Sequence, residues 1–372
     1  MACPAFSILL RPAIFPRSSA LPRVAVAQAS LAVAASAPAP AMSLGFERLK
    51  ETFMWTSPGP RGGPERPPGG GNVAVRVELR NGCVGWGEAP VLPSVTAEDQ
   101  PAALAAAAEA CAALMGAQPA PLDHALEQIA GILPGHRFAS VRAGVEMALI
   151  DAIANSISVP LWRLFGGVSN SIRTDITIPM VSPNEAAELA SSYRGQGFST
   201  IKLKVLRAVQ ASHPHCSLIL DANEGYTVSE AIGVLERLHE MGVVPALFEQ
   251  PVEKDDWEGL GHVSHLSCRS LDDAYRIVKG KLAHVVNIKL AKLGLRAGLG
   301  LMIGGMVETR LAMGFAGHLA AGLGCFGSFD LDTPLLLSED PVIGGYEVSG
   351  ALYKFRNPRG HGGFLHWDNI HW

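Results

Sequence analysis

The chain has 372 residues, 48% of them hydrophobic, with 30 basic and 34 acidic side chains and a net charge of −4. Length predicts two domains plus a short extension, and composition excludes a disordered or collagen-like chain. Nucleic acid is not an expected partner, because binding to it depends on basic groups that neutralise phosphates. A small-molecule substrate is expected instead. The six scattered cysteines, without a Cys-x-x-Cys pair, indicate reduced thiols.

The N-terminal segment, residues 1–45, contains no acidic residue and three arginines, at positions 11, 17 and 23. This composition predicts a disordered transit peptide and a location in the chloroplast, in the plastid stroma. A disordered Ala/Pro-rich tail is the alternative. The uncharged run 24–42 is as long as a membrane span, but its Ala, Ser and Pro residues provide too little hydrophobicity for insertion. We therefore expect no membrane partner.

Residues 46–168 have the pattern of a small α+β domain. Apolar and polar residues alternate over 73–79, and Asn81-Gly82 then gives a strong hairpin signal. Three helical stretches follow at about 97–115, 121–133 and 140–154.

Residues 169–332 alternate between strands and helices, which predicts a parallel sheet. With so many strands, a (β/α) barrel is favoured over a doubly wound sheet. A barrel of this kind has eight strands, yet no convincing strand lies between 250 and 285, and 206–216 and 291–300 look like lost helices. The sequence thus predicts a barrel shortened by missing elements. The predicted strands are 174–179, 200–205, 217–222, 246–250, 285–290, 301–305 and 329–332.

Three lysines lie near the ends of predicted barrel strands. Lys202 and Lys204 share one face of their strand, and the carboxyl end of a barrel strand lies at the mouth where active sites form. Two crowded ammonium groups would lower each other's pKa and favour a neutral base. A solvated strand face is the alternative. Lys289 ends another apolar strand and would face this pair across the mouth.

Four acidic residues also follow apolar strand residues. Asp221 and Glu249 end successive strands, and a buried carboxylate without a partner costs several kcal/mol. A hard divalent cation such as Mg²⁺ would explain both residues, while surface N-cap acids are the alternative. Asp330 and Asp332 alternate on the last strand, and such a pair suits a substrate ammonium group.

The ordered set of these residues resembles the enolase superfamily, in its muconate-lactonizing/mandelate racemase-like branch and, within it, the dipeptide epimerases acting on Ala-Glu. The resemblance covers about 73–372 and implies a modified TIM (β/α) barrel with an α+β capping domain, to which the C-terminal segment 333–372 returns. A homo-oligomer is common in this superfamily. The motifs are Gly85-Trp86-Gly87-Glu88, 144–151, Lys202-x-Lys204, Asp221-Ala222-Asn223, Glu249-Gln250-Pro251, Asn287-Ile288-Lys289, 305–308 and Asp330-x-Asp332.

The resemblance also implies residue roles and a reaction. Mg²⁺ on a substrate carboxylate would stabilise an enolate while one lysine removes the α-proton and another returns it from the opposite face. The implied roles are Asp221 and Glu249 as metal ligands, Lys204 and Lys289 as acid/base residues, Lys202 as an electrostatic aid, and Asp330 and Asp332 as the site for a dipeptide ammonium group.

The sequence departs from the family pattern at the third metal ligand, an aspartate. An alignment without gaps back from Lys289 places His265 there, but the pattern favours loss of the whole strand between Ser267 and Cys268. The Pro/Gly-rich stretch 57–71 stands where the family has a loop that closes over the substrate. We therefore expect weak or no activity. The alternatives are a cycloisomerase of the same superfamily and a catalytically inactive truncated variant.

Overall fold

The computed structural model describes most of the chain from residue 72 onwards and two earlier strands. Strands 6–9, 42–48 and 285–289 are described by their backbone. The described residues are 6–9, 42–48, 72–79, 81–92, 96–115, 121–203, 209, 211–253, 256, 259, 285–289, 300–337 and 340–365.

The described elements follow the predicted order of a capping domain, a barrel and a C-terminal segment. The strands are β1 (Phe6–Leu9), β2 (Met42–Arg48), β3 (Val73–Leu79), β4 (Val84–Ala89), β5 (Ser171–Arg173), β6 (Ile176–Ile178), β7 (Thr200–Leu203), β8 (Ser217–Asp221), β9 (Leu247–Glu249), β10 (Val285–Lys289), β11 (Gly300–Gly304), β12 (Ser328–Asp330), β13 (Ile343–Gly344), β14 (Glu347–Ser349), β15 (Leu352–Lys354) and β16 (Gly363–Phe364). The helices are α1 (Gln100–Met115), α2 (Leu122–Ile132), α3 (Ala139–Ser156), α4 (Leu161–Leu164), α5 (Pro183–Gly195), α6 (Val228–Glu240), α7 (Arg310–Leu323) and α8 (Thr333–Leu336).

The capping domain packs an antiparallel sheet, in the order β2-β3-β4, against α1 and α3, and α2 packs against these two helices. The predicted hairpin and helices are confirmed with small shifts in their bounds. Strand β4 lies directly on α3 because two glycines leave room for it. A Cβ at Gly85 would lie 2.1 Å from the nitrogen of Ala152, and one at Gly87 would lie 2.0 Å from the carbonyl oxygen of Gly144. The Gly-Trp-Gly-Glu motif is therefore a packing requirement.

Glu88, the last residue of this motif, joins the capping domain to the barrel. Its buried carboxylate accepts hydrogen bonds from the backbone nitrogen of Thr309 at 3.1 Å and from its Oγ1 at 2.7 Å. The backbone nitrogen of Ala312 donates to the same group at 3.2 Å. Burial raises the pKa of Glu88, and the hydrogen bonds from Thr309 oppose that rise. Because Thr309 is the N-cap of α7, one acid fixes the start of a barrel helix to β4.

The barrel sheet has the strand order β12-β11-β10-β1-β9-β8-β7-β6, and every neighbouring pair that excludes β1 is parallel. The backbone nitrogen of Asp175, one residue before β6, donates to the carbonyl of Phe329 in β12 at 2.9 Å, so the outer strands meet. The predicted α/β barrel is confirmed. Helices α5 and α6 begin with complete capping boxes, which are formed by Ser182 with Glu185 and by Thr227 with Glu230.

Strand β1 lies between β9 and β10 and runs antiparallel to both. Strand β1 and the first residues of β2 lie within the segment 1–45, for which the sequence predicts a transit peptide. An extended apolar segment can satisfy the backbone groups of unpaired strand edges. The predicted replacement ligand His265, the predicted gap at 267–268 and the stretches 57–71 and 291–299 lie outside the described residues.

The C-terminal segment contacts both the barrel and the capping domain. Strand β15 pairs with β14 and β5, and the backbone nitrogen of His361 donates to Asp151 in α3 at 2.8 Å. The other oxygen of Asp151 accepts from the backbone nitrogen of Trp86 at 3.0 Å. Within the described part of the chain, no helix combines the length and apolar character that a membrane crossing requires.

Candidate active site

The centre of the barrel contains one lysine that contacts three carboxylates. The Nζ atom of Lys202 lies 3.1 Å from Asp221 Oδ2, 2.8 Å from Glu249 Oε2 and 2.9 Å from Asp330 Oδ2. All four side chains are buried. Since they come from four different strands, the folded barrel assembles a site that no local segment contains.

Strand register explains why these groups converge. Ile219 pairs with Leu247, and these two form a small buried cluster with Met302 inside the barrel. Asp221 and Glu249 stand two residues further along the same strands and are themselves register partners. Because side chains two residues apart share one face of a strand, both carboxylates lie directly above this apolar floor.

The electrostatics of Lys202 differ from the sequence prediction. Burial alone would lower the pKa of its ammonium group, but the carboxylates of Asp221, Asp330 and Glu249 together raise that pKa well above its ordinary value. The predicted neutral base therefore does not apply to Lys202, which carries a positive charge at neutral pH. Lys204, the other member of the predicted pair, lies outside the described residues. The electrostatic role expected for Lys202 agrees with its contacts.

The two strand ends that carry Asp221 and Glu249 are fixed by their loops. Asn223 donates to Asp221 Oδ1 through its backbone nitrogen at 3.0 Å and its Nδ2 at 2.9 Å. Backbone hydrogen bonds from Ala222 to Glu249 and from Glu224 to Gln250 join the loops. Asn223 has a φ of 46°, a left-handed conformation that asparagine adopts more readily than most residues. The turn thus orients one carboxylate oxygen and ties both strand ends together.

These two carboxylates fit a hard divalent cation. Asp221 Oδ2 and Glu249 Oε2 both lie within 3.1 Å of the same ammonium nitrogen, so they converge on one region of the barrel mouth. Mg²⁺ prefers oxygen ligands and is commonly bound by one or two carboxylates, with water and substrate completing an octahedron. The donor set among the described residues therefore suits the predicted metal. The position predicted for a third ligand lies outside those residues.

A second acidic group adjoins the first and includes a residue that the sequence reasoning missed. Asp175, Asp330 and Asp332 each offer an oxygen within 4.8 Å of the others. The backbone nitrogen of Thr177 donates to Asp332 Oδ2 at 2.6 Å. Burial and the charge of Asp330 raise the pKa of Asp332 to about 7. The alternation of apolar and polar residues over 174–178 could have pointed to Asp175. Ile176 and Ile178 are buried on one face of this strand, and Asp175 falls on the opposite face.

The remaining predicted lysine, Lys289, ends β10. Its backbone pairs with Gly304 of β11, which in turn pairs with Asp330 of β12. Lys289 therefore lies in the same register row as one acid of the site.

Fold and site together define a barrel enzyme with charged groups at the carboxyl ends of parallel strands. The chain belongs to the mandelate racemase/muconate lactonizing enzyme family of the enolase superfamily. Its residues 71–166 match the N-terminal domain of that family, and residues 185–302 match the enolase C-terminal domain-like family.

The following relatives are all named as epimerases. An L-Ala-D/L-amino acid epimerase of Populus trichocarpa is 64% identical across 80% of this chain and 79% of its own length. The substrate-liganded L-Ala-D/L-Glu epimerase of Bacillus subtilis superposes with a TM-score of 0.76 at 28% identity and covers 88% of this chain and 99% of its own. A dipeptide epimerase of Enterococcus faecalis, complexed with Mg and L-Leu-L-Tyr, gives 0.74 at 26% identity, with 88% and 99% covered.

Proposed function

We propose that this protein is a Mg²⁺-dependent epimerase of dipeptides that inverts an α-carbon by 1,1-proton transfer. The observation that carries the proposal is the contact of Lys202 with Asp221, Glu249 and Asp330 inside the barrel. Such a site combines ligands for a divalent cation with a fixed positive charge. The epimerase activities named for the relatives support the same reaction.

The acidic group favours a dipeptide over the substrate of a cycloisomerase. A dipeptide has a positive ammonium group at one end and a carboxylate at the other, and Asp330 with Asp332 would bind the ammonium. Muconate is a dicarboxylate without a positive group, so two buried aspartates beside it would repel it. For this reason we do not favour the cycloisomerase alternative.

The proposed mechanism assigns one task to each charged group. Bound Mg²⁺, held by Asp221 and Glu249, would withdraw electrons from the substrate carboxylate and so stabilise negative charge on it. The ammonium of Lys202 adds a fixed positive charge beside that carboxylate, in a buried site where electrostatic interactions are strong.

Lys204 and Lys289 are proposed to move the proton. One lysine, with a neutral Nζ, accepts the proton from the α-carbon, and the electron pair of the broken C–H bond moves into the carboxylate group. The other lysine, as an ammonium, donates its proton to the opposite face and forms the new C–H bond. The two lysines exchange roles in the reverse direction, so no net proton is gained or lost.

The compartment and the assembly state are further parts of the proposal. The acid-free, arginine-containing segment 1–45 supports import into the plastid stroma. N-terminal sequencing of the protein recovered from plastids tests this, and an intact Met1 would contradict it. A homo-oligomer stays a prediction that sedimentation analysis can check.

Proton exchange at the α-carbon tests the reaction directly. The full chain with Mg²⁺ is incubated with L-Ala-L-Glu in D₂O and followed by proton NMR. We expect deuterium to appear at the Glu α-carbon. This exchange should be lost on adding EDTA and in Lys289→Ala. It should be retained in Lys354→Ala, a matched lysine replacement on β15. Absence of exchange in a protein that unfolds cooperatively would support the alternative of a catalytically inactive variant. A slow rate would agree with the expectation of weak activity.

A further inference from the structure

Asp175 is a buried acid to which the proposed reaction assigns no role. Only 2% of its surface is exposed, and among the described residues neither carboxylate oxygen has a hydrogen-bond partner. One of its oxygens lies within 4.8 Å of oxygens of Asp330 and Asp332. A buried carboxylate without compensation is costly, so this position calls for a proton or a cation.

Lys202, a described cation whose charge acts on Asp175, has no N–H donor left for it. An ammonium group has three N–H donors, and Lys202 has three carboxylates within 3.1 Å, none of which is Asp175. The backbone nitrogen of Thr177, the neighbouring donor on β6, is directed to Asp332. Within the described part of the barrel, Asp175 therefore faces acids without a hydrogen-bonded positive partner.

The spacing of the three acids matches a primary ammonium group. Charge-assisted N–H···O bonds of about 2.8 Å, arranged tetrahedrally, separate three acceptor oxygens by about 4.6 Å. The oxygens of Asp175, Asp330 and Asp332 are close enough for this arrangement, since none is more than 4.8 Å from another. Each acceptor would receive one of the three N–H donors.

We propose that Asp175 is the third carboxylate of the ammonium site and sets the preference for dipeptides with a free α-amino group. The inference rests on the proposed function, in which Asp330 and Asp332 receive the substrate ammonium. It adds a specificity-determining residue just before β6 to Asp330, which ends β12, and Asp332, which follows it. The site would then surround the ammonium from two segments that meet where Asp175 donates to Phe329.

The electrostatics of the free protein agree with this role. Burial and the charges of Asp330 and Asp332 raise the pKa of Asp175 well above its ordinary value, Lys202 opposes the rise and Glu249 adds to it. A positive group beside Asp175 would oppose this rise and favour the ionised carboxylate. A substrate ammonium can do so, whereas the neutral amide of an N-acetylated dipeptide cannot.

Calorimetric titration of the full chain with Mg²⁺ present tests the inference. The Kd values of L-Ala-L-Glu and N-acetyl-L-Ala-L-Glu are measured for the wild type, Asp175→Asn and Glu188→Gln, an exposed matched control on α5. We expect Asp175→Asn to weaken binding of the free dipeptide about tenfold to a hundredfold, the range for a hydrogen bond to a charged group. Binding of the acetylated peptide and the control variant should not change.

Folding is checked on the same samples by thermal unfolding. Asparagine is nearly isosteric with aspartate and carries no charge to bury, so the variant should fold. If it does not, Asp175→Ser is compared in the same way.

Four outcomes would overturn the role of Asp175. These are equal weakening for both peptides, unchanged affinity for the free dipeptide, a wild type that does not prefer the free amine, and loss of one bound Mg²⁺ in a titration with the metal alone. Proton exchange in the wild type separates the two proposals. If the wild type shows no proton exchange but still binds the free dipeptide more tightly than the acetylated one, only the epimerase proposal is refuted. If the wild type exchanges normally and Asp175→Asn binds the free dipeptide with unchanged affinity, only the role of Asp175 is refuted.

Discussion

Replacement of Lys202 by methionine removes the positive charge at the centre of the site while keeping most of the side-chain volume. Three buried carboxylates, those of Asp221, Glu249 and Asp330, then lose a partner at 2.8–3.1 Å. Removing one member of a buried ion pair costs about 3–5 kcal/mol, and proton uptake by the carboxylates limits the total. We therefore expect the free energy of unfolding at pH 7 to fall by about 3–5 kcal/mol, a large part of the usual 5–15 kcal/mol.

Urea unfolding at a series of pH values measures this loss. The pKa of Lys202 is raised in the folded protein, so its stabilising contribution is complete below the unfolded pKa of about 10.4 and is lost only as pH rises through the folded value. The difference between wild type and Lys202→Met should be smallest in acid, where the carboxylates bind protons, and should grow as pH rises to about pH 9. Lys354→Met serves as control.

Two results would refute this reasoning. Equal stability of Lys202→Met and the wild type at pH 7 would mean that the ion contacts contribute nothing. A difference that grows in acid would mean that the carboxylates do not cause it.

Three further changes have expected outcomes. Gly87→Ala should lower the free energy of unfolding by at least about 3 kcal/mol, because its Cβ would lie 2.0 Å from a backbone oxygen of α3; an unaltered thermal midpoint would contradict this. Gly233 lies within α6 with open space around it, so Gly233→Ala should instead raise the free energy of unfolding by about 0.5–1 kcal/mol in the same assay. Burial, and then the nearby His361, lower the pKa of His318 to about 3. The contribution of neutral His318 to the free energy of unfolding is therefore complete above pH 6.5 and falls by about 1.4 kcal/mol per pH unit below it. In His318→Gln the free energy of unfolding should consequently fall less steeply between pH 6 and pH 4. Denaturant titrations that show the same pH dependence in both proteins would refute this.

Local sequence patterns predicted the features that depend on a few neighbouring residues. The capping boxes at Ser182 and Thr227 need only a partner three positions away, and both are present. The carboxylates of Asp221 and Glu249 could be predicted because each ends an apolar strand, and parallel strands end on the same side of a sheet.

Features that depend on barrel closure could not be predicted in the same way. The sequence prediction of a neutral base at Lys202 rested only on the nearby Lys204. In the folded barrel, three acids from other strands decide the charge of Lys202. Asp175 was missed because the alternating pattern around it is typical of an ordinary half-exposed strand. Asp175 is buried where its backbone nitrogen donates to the carbonyl of Phe329, a residue distant in sequence.

The position of Glu88 in the chain affects how the protein is completed during synthesis. Its partner Thr309 lies 221 residues later, so at about 5–20 residues per second the ribosome supplies that partner about 10–45 s after the glutamate has emerged. During this interval the carboxylate of Glu88 lacks its hydrogen bonds from Thr309 and Ala312, and β4 lacks the helix that Glu88 anchors. The capping domain, although synthesised first, is therefore among the last parts of the molecule to reach its final structure.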